Sequence, residues 1–168
     1  MSAVASPKYS KLNQQVSHEA ALLDYAVRLA RHRQGRRAAH VHLSRLAPAN
    51  RREHHIRIAM STLEPLLRKF GGSMFRLSSD DLIVALKDAS AANIGDYLGK
   101  LEFLFFEDPL FDAQTGAGFE FCTLYDMMAD YASFLRLSRD LEARASHQRK
   151  LATESQNAKA PKAQSAGE

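Results

Sequence analysis

The stretch "MFRLSSDDLIVALKD", residues 74–88, decides how the chain is read. Two short apolar runs, "SMFRL" and "LIVAL", flank the polar tetrapeptide "SSDD". Serine and aspartate favour tight turns because their side chains bond the nearby backbone. β-branched and aromatic residues dominate the flanks, so the unit reads as a β-hairpin. Its two adjacent aspartates pose the functional question. They are either the remnant of a reactive loop or ordinary turn residues exposed to water.

Working outward, helical and strand patterns alternate on both sides. Upstream, Asn50 with Glu53 three residues on has the form of a capping box, which opens a helix over Ile56, Met60, Leu63, Leu67 and Phe70. Pro65 is expected to kink or split that helix, and the glycines at 71 and 72 to close it. Before it, "AHVHLSRLA" reads as a strand stopped by Pro48. Downstream, Asn93 and Asp96 open a helix carrying Leu98, Leu101, Leu104 and Phe105. "EDPLFDAQTGAG" is a loop and "FEFCTL" a fourth strand, and a last helix runs from about Asp126 to Arg149 with Met128, Tyr131, Leu135 and Leu141.

Residues 1–9 read as a flexible start, and 10–35 as an N-terminal amphipathic helix with its C-terminal turn at Gly35. Its stripe is Leu12, Val16, Ala20, Leu23, Val27 and Ala30, widened by Leu22, Ala26 and Leu29. Such a helix either pairs with a second copy or packs back on its own sheet. Residues 150–168, rich in Ala, Ser, Gln and Lys without periodicity, read as a disordered tail or linker. After the first helix the order is β-α-β-β-α-β-α. With right-handed crossovers this predicts an α+β fold, a ferredoxin-like antiparallel sheet with helices on one face, in which the hairpin supplies one outer and one central strand.

Composition narrows the function classes. The 168 residues are 45% apolar and 25% charged, as in ordinary globular domains. No run approaches the roughly 18 apolar residues of a membrane span, and the N-terminus lacks a signal-peptide pattern; a cytoplasmic protein without a membrane partner is expected. The lone Cys122 sits in an apolar run, where an inert thiol is expected rather than a nucleophile. Ser44 has no nucleophile-elbow neighbours, so a hydrolase reading has no support.

The net charge of +4 is unevenly spread. Residues 1–60 hold eleven Lys/Arg against three Asp/Glu, whereas 61–125 hold five against ten. Arg31, Arg33, Arg36 and Arg37 form a basic partner surface, suited either to the acidic 96–112 region of another copy or to a nucleic acid. For the nucleic-acid alternative, Phe75, Phe119 and Phe121 would be the stacking platform, although the RNA-recognition signature is absent. His40 and His42 share a strand face, but without a third ligand they read as a solvated pair, and no metal or cofactor is assigned. His54 and His55, being adjacent, point to different helix faces.

"RLSSDDLIVAL" resembles the hairpin of the GGDEF domains, the bacterial diguanylate cyclases, whose run typically reads RLGGDEFAVLL. Arg76 and Leu77 fit the lead-in, Ser78 and Ser79 stand at the two glycines, Asp80 and Asp81 at the acidic pair, and Leu82 at the aromatic position. Residues 38–137 follow the family's order of elements. The resemblance implies a nucleotide-cyclase fold over residues 36–149, and its departures imply lost chemistry. Family members join two GTP molecules with metal ions held by carboxylates from the first strand and the hairpin. Ser44 and Arg45 stand where the first-strand acidic pair belongs, and a cation there repels Mg²⁺. Glycine lets a nucleotide approach the backbone closely, and serine at 78 and 79 compromises that. The inhibitory Arg-x-x-Asp motif would fall on Phe70 and Ser73 and is absent, and Arg136 and Arg139 only loosely replace the family's last Lys/Arg pair. The resemblance therefore implies no enzyme. It points to a degenerate domain that dimerises, binds a nucleotide allosterically, or regulates a partner such as an EAL-type phosphodiesterase domain in bacterial cyclic di-GMP signalling.

Overall fold

The computed structural model describes residues 17–112 and 121–159. Helix α1 (His18–Arg28) starts on Ser17, whose hydroxyl accepts the Ala20 N–H, and ends in a 3-10 turn, Leu29–Arg31. Strand β1 (Arg36–Val41) follows, then helix α2 (Glu53–Phe70), the hairpin β2 (Gly72–Arg76) and β3 (Leu82–Lys87), helix α3 (Ala91–Leu104), strand β4 (Cys122–Asp126) and helix α4 (Tyr131–Lys159). The fold is α+β: the described residues form four α-helices and one four-stranded sheet, order β2-β3-β1-β4, with every neighbouring pair antiparallel. The hairpin thus supplies the edge strand β2 and the interior strand β3.

Both faces of this sheet are covered, which corrects the expected one-sided arrangement. Ala39, Val41, Leu82, Val84 and Leu86 pack with Ile56, Ala59, Leu63 and Leu66 of α2 and Ile94, Leu98 and Leu101 of α3. The alternate residues Ala38, Phe75, Ile83 and Ala85 pack with Leu22, Ala26 and Leu29 of the α1 segment and Phe134 of α4. The physical reason is visible in β3, where every residue from Leu82 to Leu86 is buried. A strand apolar at consecutive positions needs an apolar layer on each side.

Several local expectations shift for equally simple reasons. Within the first helix, residues 10–16 lie outside the described residues, and the buried stripe is Leu22, Ala26 and Leu29, while Val27 is half-exposed. The helix therefore packs back on its own sheet rather than leaving its stripe free for a second copy. The first strand ends at Val41, because Leu43–Arg45 turns as a 3-10 segment. Arg52, not Asn50, caps α2, with His55 at the third position. Helix α2 runs unbroken through Pro65. Pro65 and Ser61 both face water, so the carbonyl freed by the missing proline N–H is solvated. Leu104 is 46% exposed rather than core. Helix α4 continues to Lys159, so residues 150–159, expected as tail, are helical; the expected N-terminal segment 1–9 and residues 160–168 lie outside the described residues. No helix among the described residues is long and apolar enough to cross a membrane.

Candidate functional site

The "SSDD" turn takes its shape from one residue. Asp80 N–H bonds to the Leu77 carbonyl and Leu77 N–H to the Asp81 carbonyl, both at 2.9 Å. The positive φ this closure needs falls on Asp80, at +72°, and not on either serine. Asp tolerates the left-handed region better than most residues because its short side chain bonds locally. Serine at 78 and 79 therefore sits in this turn without the backbone strain of a positive φ.

The two aspartates face different ways and do different work. Asp80 takes the Arg76 guanidinium at 2.9 Å, and Arg76 also grips Glu53 at the start of α2 with bonds of 2.9 and 2.6 Å. These two carboxylates raise the Arg76 pKa further, while Arg76 lowers that of Glu53 to about 2. Asp80 thus holds Arg76 within the hairpin, and Arg76 fastens the hairpin to the helix. Asp81 is buried and points under α4.

Around Asp81 lies the one cluster of three potential metal-ligating side chains found among the described residues. Because side chains alternate along a strand, Ala38 and His40 share the sheet face that α1 and α4 cover. The His40 Nε2–H donates to Asp81 Oδ2 at 2.9 Å, and His42 Nδ1 lies 3.7 Å from the same oxygen. The two imidazoles lie against one another with ring centres 3.9 Å apart and planes tilted by 34°. The Ser44 N–H donates to the other carboxylate oxygen, Oδ1, at 2.8 Å. On the far side, His42 Nε2 meets the Thr123 hydroxyl of β4 at 2.9 Å. Burial alone would raise the Asp81 pKa, but the bonds from His40, His42 and Ser44 outweigh it and hold the carboxyl well below the usual range. Burial lowers the His40 pKa, more than its bond to Asp81 raises it. The cluster rests as a carboxylate beside a neutral His40.

These groups open into a cavity of roughly 450 Å³ between the turn and the two covering helices. Ser78, Ser79 and Arg45 line its floor, and Leu137, Leu141 and Arg144 of α4 its roof. Glu19 of α1, only 4% exposed, closes one side, accepting the Ser78 N–H at 2.5 Å and the Ser78 hydroxyl at 2.6 Å.

Ser44 and Asp81, far apart in sequence, are therefore direct hydrogen-bond partners, and Ser78 and Ser79 belong to the same cavity. Leu82 does not; it is fully buried on the opposite sheet face. The arginines are elsewhere again. Arg36 and Arg37 begin β1, at the end of the sheet away from His40. Arg37 is engaged, bonding the Ala89 carbonyl at 2.7 Å and Asp126 at 3.4 Å, and the Arg33 guanidinium sits 5.2 Å from the Tyr131 ring centre. Arg31 is exposed. Phe75 is buried beneath α1 and Phe121 lies in the core on the other side, so these two form no open stacking platform; Phe119 lies outside the described residues.

Sequence reasoning missed three members of the site: the His40–Asp81 contact, Glu19 and Thr123. The solvated histidine pair is corrected, since His40 is only 5% exposed and its third partner is Asp81. The H-x-H spacing was the one available signal, because it sets both rings on one strand face. No family model, curated protein or solved structure matches the chain.

Proposed function

We propose that the chain is a non-catalytic, GGDEF-like regulatory and interaction module of bacterial cyclic di-GMP-type signalling, which self-associates or meets a partner protein. The observation that carries this reading is the meeting of Ser44 and Asp81 at one end of the sheet, beside the hairpin turn. A cyclase ancestor would place its two metal-binding acidic positions there. The strand order β2-β3-β1-β4, with helices joining β1 to β2 and β3 to β4, is the order of a ferredoxin-like or cyclase-like sheet and supports the same ancestry.

The chemistry of the family does not fit these residues. Mg²⁺ asks for several hard oxygen ligands in octahedral geometry. The pocket offers two carboxylates, both engaged: Asp81 is bonded by His40 and Ser44 and Glu19 by Ser78, and they point to different partners. Asp80, the other acidic turn residue, is tied to Arg76 on the outside. Helices α1 and α4 also roof the place where triphosphates would need to enter. A domain of this build acts through contacts rather than turnover. Support for self-association comes from charge: the 96–112 segment carries five acidic groups against Lys100, opposite in sign to the Arg31–Arg33 end, and it exposes Phe103 and Phe106. In a two-fold pair each copy offers both patches, so the contact closes.

Two measurements test the reading. Incubation with GTP and Mg²⁺ is expected to yield no cyclic di-GMP, and steady product formation overturns the non-catalytic assignment. Sedimentation at rising protein concentration is expected to show a dimer that weakens between low and high salt; a monomer throughout leaves only a heterologous partner, sought by calorimetry with an EAL-type domain.

A further inference from the structure

The donor set around Asp81 is wrong for Mg²⁺ and right for a different class of ion. Imidazole nitrogens with one carboxylate oxygen suit Zn²⁺ and its first-row neighbours. We propose that His40, His42 and Asp81 bind one divalent transition-metal ion of the Zn²⁺ class, with its fourth position open to the cavity beneath α4. This inference stands on the geometry of three side chains and does not depend on the cyclase-like reading.

The distances are those of a nearly assembled site. Ligands about 2.0–2.1 Å from a tetrahedral metal lie roughly 3.3 Å from one another. Here Asp81 Oδ2 is 2.9 Å from His40 Nε2 and 3.7 Å from His42 Nδ1, on either side of that figure. All three donor atoms fall within 4.8 Å of one another. An ion would displace the proton between His40 and Asp81 to solvent, and small ring rotations would part the two imidazoles, tilted by 34°, to admit it.

The outer partners are those a metal site needs. Metal-bound histidine commonly fixes its other ring nitrogen to an oxygen, which sets the tautomer. The Thr123 hydroxyl lies 2.9 Å from His42 Nε2, so with an ion on Nδ1 it would accept the Nε2 proton and hold the ring. The Ser44 N–H occupies Asp81 Oδ1, leaving Oδ2 for the ion. His40 lies on β1, His42 just past its end, Asp81 just before β3 and Thr123 on β4, so the sheet brings the set together before any ion arrives. The cavity supplies an entry path, and Arg45 and Arg144 in its walls favour an anionic oxygen, such as a carboxylate or phosphate, as fourth ligand. His54 and His55 also lie close, with ring centres 3.9 Å apart and planes tilted by 38°, but they sit on the exposed start of α2, and among the described residues no carboxylate joins them in a three-group cluster.

The test is competition for Zn²⁺ against a chromophoric chelator, using the full chain. One ion per chain is expected to bind at micromolar concentration or tighter. His42→Ala should weaken binding by about 100-fold or more, and Thr123→Val, on an exposed side chain, by about 10–100-fold. The His54→Ala/His55→Ala double variant should bind as the parent does. Substitution with Co²⁺ should give the intense visible bands of four-coordination, lost in His42→Ala. Circular dichroism checks that each variant is folded, and should His42→Ala fail, Thr123→Val and the Co²⁺ spectrum decide. No binding at micromolar ion, unchanged affinity in Thr123→Val, or loss in the His54/His55 variant each overturns the proposal.

Discussion

Removing the Glu19 carboxylate should loosen the hairpin turn, although the two are 59 residues apart. Glu19 makes two bonds to Ser78, one to its N–H and one to its hydroxyl. Hydrogen bonds to a charged group contribute about 1.5–3 kcal/mol each. Ser78 is exposed, so water can take over both of its donors once the carboxylate is gone. The loss in Glu19→Ala should then be nearer one such bond than two, about 2 kcal/mol. Glu19→Gln keeps one acceptor oxygen and loses the charge, so about 1 kcal/mol is expected. With a urea slope of about 2 kcal/mol/M, the midpoint should fall by about 1 M for alanine and about half that for glutamine. Amide exchange at Ser78 should quicken in both variants while the centre of β3 stays protected. A midpoint for Glu19→Ala within about 0.2 M of the parent would refute the view that α1 clasps the turn.

Phe134 is fully buried where α4 meets the sheet, so Phe134→Ala should cost about 3–5 kcal/mol and lower the thermal midpoint by on the order of 10 °C. Acid should weaken the tie between hairpin and α2. Arg76 moves the Glu53 pKa from its ordinary 4.5 to about 2, so that stability is present above pH 4.5 and fades as pH falls towards 2. Glu53→Gln should flatten the acid limb of the unfolding curve in that window. Burial, reinforced by the charge of Glu102, pushes the Cys122 thiol up to about 12. Iodoacetamide at pH 8 should therefore label the native protein slowly and the urea-unfolded protein fast, as read by mass spectrometry.

The hairpin was legible because its signals are local. Turn residues at 78–81 lie between runs of strand-forming residues, and no tertiary partner is needed to read them. The α2 and α3 helices were legible from periodicity for the same reason. What escaped were the features fixed by who packs on whom. The first helix offered two overlapping stripes, and only the sheet decides that Leu22 and Ala26 go inside while Val27 stays out. The end of α4 escaped because residues 150–159 carry no apolar periodicity, their helicity being continuous with packed turns before them. The site divides in the same way. The resemblance put Ser44 and Asp81 at positions that share a metal in the family and left their meeting to the structure, whereas His40 and His42 were seen as a pair but lacked a third member. Asp81 becomes that member only when β3 pairs with β1 in the register that sets His40 against Ile83.

Helix α4 has a mechanical consequence. Its first half is clamped to the sheet through Phe134 and Ser138, and its middle, from Leu137 to Gln148, forms the cavity roof. From Ser146 to Lys159 it continues as a rod roughly 20 Å long, at about 1.5 Å per residue, with its residues past Ser146 exposed. A force applied near Lys159 acts on the roof as on the short arm of a lever, with Ala145 close to the fulcrum. Tilting the rod lifts or presses Leu141 and Arg144 together, since a helix moves as one body. The chamber around Asp81 thus shares one continuous helix with the exposed turns that run on to Lys159.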